Sequence, residues 1–206
     1  MKVQSTKTCI KHQSASILFY NTRMITFASI DYFSIEGIPF VLIAICNIWM
    51  FQPIVSTLHE LGHALPALLL THGNVKVRVG EGKKFLFFSP YKLGKRFSIK
   101  ISLKNPRVGY TQFEQQKKGF QFIVLLGGPL FTFLLTWQAG DLLFARNLPG
   151  WAEVLLISWF CGNFLALLRS VIPTYLKPTG KFPRGAPSDG LQILTLLFGA
   201  SSKENQ

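Results

Sequence analysis

Residues 38–70 read IPFVLIAICNIWMFQPIVSTLHELGHALPALLL, a run in which Glu60 is the only formal charge. About 20 apolar residues of helix cross a bilayer core. This run is longer, roughly 50 Å if wholly helical. Pro53 removes a backbone donor near its middle and predicts a kink or break there. The reading is an entry segment over Ile38–Met50, partly spanning or interfacial, followed by a transmembrane helix over Pro53–Leu70. Inside that helix stands His59-Glu60-Leu61-Gly62-His63, a match to H-E-x-x-H. Positions i and i+4 share one helical face, so His59 and His63 can grip one metal ion. Glu60, next to the first histidine, can serve as general base toward a water on that metal. A carboxylate and two imidazoles are costly in a membrane-type segment, which points to function before packing. Pro66 either loosens the helix beside His63 or is a tolerated transmembrane proline.

The rest of the chain belongs to the same class. Phe120–Phe144 and Trp151–Leu168 are further apolar runs of spanning length, and Leu191–Ala200 is a shorter one. Gly127-Gly128-Pro129 lies in the second span. Glycines let backbones approach and the proline frees a carbonyl, so the trio can serve packing or help hold an extended substrate. Asn163 is a lone amide in the third span, suited to an interhelical hydrogen bond or to orienting a ligand or substrate.

Between the first two core spans the pattern changes to period two. Val75, Val77 and Val79 alternate with Lys76 and Arg78, and Phe97, Ile99, Ile101 and Leu103 alternate with Ser98, Lys100, Ser102 and Lys104. Gly80-Glu81-Gly82 and Lys92-Leu93-Gly94-Lys95 can each turn a hairpin. The expectation is a small antiparallel sheet on the cytoplasmic face, either a cap or an edge for an extended peptide. Residues 1–36, His12 included, are weakly patterned and read as a loosely ordered tail. Residues 37–206 then form one membrane domain, with 74–113 as a cytoplasmic β insertion. The fold class is mainly α and polytopic: three core transmembrane helices, a short C-terminal helix, an entry segment and the antiparallel sheet.

The net charge of +13 is concentrated. Twelve Lys and Arg lie between Asn74 and Lys118, against Glu81 and Glu114 alone. The loop Ser170–Pro187 is basic too. Beside apolar spans, such segments mark the cytoplasmic side of a multi-pass protein. No nucleic-acid partner is expected. The three cysteines, Cys9, Cys46 and Cys161, form no C-x-x-C pair and are odd in number, which argues against a disulfide framework or a cysteine metal site.

A catalytic zinc site uses three protein ligands and keeps one position open. His72, at the membrane edge nine positions past His63, is a poor third. Of the nine acids, Asp31, Glu36 and Glu204 lie in tails, Glu81 and Glu114 near strands, and Asp141 and Glu153 toward the far side. Asp189 remains, entering its apolar segment from the side to which the motif helix descends. Its competing role is to cap the last helix.

Together, His59-Glu60-Leu61-Gly62-His63, Gly127-Gly128-Pro129 and Ser188-Asp189-Gly190 resemble the site-2 protease family of intramembrane zinc metalloproteases. The resemblance covers about Ile38 to Ala200. It implies one zinc held by His59, His63 and Asp189, with Glu60 activating water. Where that family carries Asn-x-x-Pro, this chain has Ser170-Val171-Ile172-Pro173. The expected function is hydrolysis of a peptide bond in a membrane-associated or transmembrane protein, near the cytoplasmic face of the lipid bilayer. A zinc-binding membrane regulator or chaperone without proteolytic activity is the alternative. A non-enzymatic membrane protein carrying HELGH by chance is the remaining one.

Overall fold

The computed structural model describes residues 37–81, 91–93, 96–114, 117–145, 148–176, 178 and 185–199, with backbone alone for 91–93. The tail at 1–36, His12 and Cys9 lie outside the described residues. The elements in order are α1 (Ile38–Leu70), β1 (Val75–Val79), β2 (Tyr91–Leu93), β3 (Phe97–Ile101), β4 (Gly109–Gln112), α2 (Lys118–Ala145), α3 (Gly150–Val171) and α4 (Asp189–Phe198). Three of them, α1, α2 and α3, are long and apolar enough to cross a membrane. Met50, Leu69, Trp137, Phe144 and Trp151 turn large apolar surface outward, as lipid-facing helices do.

The entry segment and the motif helix are one element: α1 is a continuous helix of 33 residues through Pro53 and Pro66. The expected break at Pro53 does not occur. A proline removes one helical hydrogen bond, whereas breaking a helix in an apolar setting exposes several backbone groups with no water to satisfy them. The Thr57 hydroxyl donates to the Pro53 carbonyl at 2.6 Å on the following turn.

Side-chain pairings set the helix directions. Along α1, His63 meets Val124 of α2 and His59 meets Thr132, so these two helices run antiparallel. Phe51 packs edge-on against Trp159 of α3, with ring centroids 5.5 Å apart, and Val55 lies opposite Gly162. The numbers rise together, so α1 and α3 run in the same direction. The α1–α2 crossing is closest at Gly62 and Gly127. A Cβ on Gly62 would lie 2.6 Å from the Gly127 carbonyl oxygen, and one on Gly127 would collide with the Gly62 carbonyl. Only hydrogen fits there, the small-residue contact typical of apolar helix pairs. Thr132, Thr136, Ser158 and Asn163, all buried, each donate to the carbonyl four residues earlier, which satisfies their donors inside the bundle.

The sheet differs from expectation. Its strand order is β2-β3-β1-β4, and it is mixed. β1 pairs parallel with β3, Val77 opposite Ile99, and antiparallel with β4, Val77 opposite Thr111. β2 and β3 pair antiparallel. The parallel pair rules out a hairpin at Gly80-Glu81. The chain leaves β1 there, through Gly80 at φ 80°, and returns beside β1 as β3 only after β2. Lys92 and Leu93 belong to β2, and Gly94 and Lys95 lie outside the described residues.

Nor does the sheet sit across the end of α1. It folds back along the flank of that helix. Val75, Val77 and Val79 pack with Ala64, Ala67 and Val124 in the main apolar core. Farther along, Gly109 touches Glu60, and Arg107, between β3 and β4, stacks 4.3 Å over Trp49. From Leu70 back to Trp49 is about 30 Å of helix. The alternation of valine with lysine and arginine follows from this: one face meets α1, the other does not.

Candidate metal centre

His59 and His63 lie one turn apart on the face of α1 that meets α2. Asp189 reaches them from the first turn of α4. Helix α4 is aimed by Ser188, which is buried. Its hydroxyl donates to the Ile172 carbonyl at 2.7 Å and accepts from the Leu191 amide at 3.2 Å. Ser188 is therefore the cap of α4, and Asp189 is left free for the histidines. The backbone adds to this: Ser188 N–H donates to Thr174 O, and Leu176 N–H to Ala186 O. A short antiparallel bridge, Tyr175 to Pro187, closes the loop before α4.

Hydrogen bonds decide the tautomers. Thr132 donates its one hydroxyl hydrogen to the Gly128 carbonyl at 3.0 Å, so it faces His59 Nδ1, 2.8 Å away, as an acceptor. His59 therefore carries its hydrogen on Nδ1. His63 Nδ1 lies 2.8 Å from the Val124 carbonyl, which can only accept. The Gly128 amide is also near that nitrogen, at 3.3 Å, but the shorter carbonyl contact fixes Nδ1 as donor. With Nδ1 committed in each ring, Nε2 is the atom left to face outward. Both Nε2 atoms face one carboxylate: His59 Nε2 is 3.0 Å from Asp189 Oδ2, and His63 Nε2 is 3.4 Å from Asp189 Oδ1.

Protons on the imidazoles can bridge these gaps, and a single metal ion can take the place of both. Donor atoms of the three residues all lie within 4.8 Å of one another. Two ligands about 2.0–2.1 Å from one tetrahedral centre sit about 3.3 Å apart, close to the separations seen here. The set His, His, Asp, with each histidine anchored through its other nitrogen, could hold a metal ion. Burial disfavours the charged form of Asp189, but the hydrogen bonds from His59 and His63 and their charge outweigh it and hold the carboxyl below the usual range.

Glu60 is buried and turned toward the same cavity, of about 640 Å³, which α1, β4, α3 and the start of α4 enclose. Thr111 of β4 donates to Glu60 Oε2 at 2.7 Å. Gly109 makes room: a Cβ there would lie 2.5 Å from Glu60 Oε1. Likewise a Cβ on Gly128 would run into the imidazole of His63. Gly128 thus belongs to the support of the metal site. Gly127 sits at the helix crossing and Pro129 is buried in α2. None of the three lines the cavity, and neither does Asn163, whose amide donates to Trp159 O at 2.8 Å. His72 is exposed and takes no part in the cluster.

The sequence reading missed both Thr111 and Thr132. Thr132 had a readable signal, one turn after Gly128 and so on the same face. Thr111 had none, because its approach to Glu60 depends on the sheet folding back along α1. No family model matches the chain, and no curated protein matches it.

Proposed function

We propose that this chain is an integral, multi-pass membrane zinc metallopeptidase that hydrolyses a peptide bond in a membrane-associated or transmembrane substrate. The observation that carries the reading is the convergence of two imidazole Nε2 atoms and one carboxylate beside a buried, separately oriented glutamate in a single cavity. Its resemblance to the site-2 protease family points the same way. Zinc at such a site supplies Lewis-acid chemistry, acidifying a water and polarising a carbonyl.

The protein's own groups supply the rest. His59, His63 and Asp189 hold the metal, leaving one position open. Glu60 accepts the proton of the attacking water and returns it to the departing amine. Thr111 keeps one carboxylate oxygen of Glu60 engaged, so the other is free to face the water. A helical substrate hides its carbonyls and must be held extended. β4 pairs with β1 on one side only among the described residues, and Gly109, Tyr110, Thr111 and Gln112 line the cavity. Its open edge is suited to receive an extended strand. The positive-inside rule, applied to the basic segments at 74–118 and 170–187, supports a site toward the cytoplasmic side.

The test compares wild type with Glu60→Gln. Both should bind about one zinc per chain, and only wild type should cleave membrane peptides in a reconstituted bilayer. Equal cleavage by the two proteins would overturn the mechanism. Zinc binding with no cleavage by wild type would favour a metal-binding regulator.

A further inference from the structure

The cavity contains two charges that metal binding and proton transfer do not use. Arg107, from the β3–β4 connection, and Arg169, in the last turn of α3, both line it. The other charged residues there are Glu60 and Asp189, already engaged by Thr111 and by the histidines. Neither arginine is paired with a carboxylate among the described residues. They are also close enough to repel one another electrostatically. Two like charges lining one cavity repel each other less when an anion joins them.

Arg107 is exposed and Arg169 half-buried. An arginine at the end of a spanning helix can stretch toward headgroups. Arg169 instead contributes to the cavity wall. The guanidinium carbon of Arg107 lies 4.3 Å from the centroid of the Trp49 ring, a cation–π contact that restrains it before any ligand arrives. A guanidinium fork suits a carboxylate taken in two parallel hydrogen bonds. Uncharged polar residues of the same cavity wall are Gln52, Tyr110, Gln112 and Gln192.

We infer that Arg107 and Arg169 form an anion subsite of the cavity, which selects peptide substrates carrying an Asp or Glu side chain near the bond to be cut. The inference rests on the reading of the cavity as a peptide site. A peptide carboxylate is favoured over a lipid phosphate because the charges share one cavity with the metal ligands, where the chain to be cut must lie.

The test uses the Glu60→Gln protein in phosphatidylcholine nanodiscs, where peptides bind without being cut. Labelled apolar peptides with one Glu moved through successive positions are compared with their Gln counterparts by fluorescence anisotropy. At one register the Glu peptide should bind at least about tenfold more tightly at low salt. That preference should shrink toward unity in about 0.5 M salt, a readout needing no further substitution. Arg107→Gln with Arg169→Gln should abolish it, and the two lysine substitutions should retain part of it. No preference at any register, or one that survives both glutamine substitutions, overturns the subsite. So does arginine-dependent retention of phosphatidylglycerol without peptide preference, which would identify a lipid site. If the preference holds but zinc-loaded wild type leaves the same peptides uncut, the subsite stands and the peptidase reading falls.

Discussion

Each histidine commits one ring nitrogen to the protein, and that commitment is what readies the other for metal. Thr132→Val leaves His59 Nδ1–H without its acceptor. It should weaken metal binding on the order of 10–100-fold, measured by competition against a chelator, while Thr132→Ser keeps the affinity. Thr111→Val acts on Glu60 alone. Zinc content should be unchanged while turnover falls on the order of 10–100-fold, with recovery in Thr111→Ser. At this scale the sequence was readable where chemistry is local. HELGH declares itself within one helical turn, and Asp189 emerged because every other acid lay in the wrong part of the chain. The threonines are ordinary members of a helix and a strand until the fold brings them to their partners.

Among the elements, the lesson concerns what overrides a local rule. Proline predicts a break by its missing hydrogen bond, but in α1 the cost of opening the helix to an apolar surrounding exceeds the cost of one bond. The alternation in β1 and β3 announced strands correctly. It could not announce their parallel pairing, since register and direction depend on the connection through β2. The crossing of α1 and α2 at Gly62 and Gly127 makes a prediction proper to this scale. Gly127→Ala should destabilise the protein by about 1–3 kcal/mol, because a methyl group meets backbone that cannot move aside. Thermal unfolding in detergent would show it as a lowered midpoint.

For the whole molecule, the metal would act as a cross-link between α1 and α4. A ligand that binds the folded state alone stabilises it by about 4 kcal/mol when present at a thousand times its dissociation constant. Chelation should therefore lower the unfolding midpoint of wild type and leave Asp189→Ala unaffected, and calorimetry with and without chelator would read this directly. The overall plan of three long apolar helices with a sheet between the first two could be read from hydropathy and periodicity. The course of the sheet along the flank of α1 could not, because it is decided by long-range packing of three valines against Ala64 and Ala67.

The bond between the two halves of the site spans 130 positions of sequence, from His59 to Asp189. During synthesis, at roughly 5–20 residues per second, the histidines exist for on the order of ten seconds before their third partner is made. For that interval the nascent chain carries a metal clasp that cannot close. Whatever chemistry the site performs is withheld until α4 has been delivered.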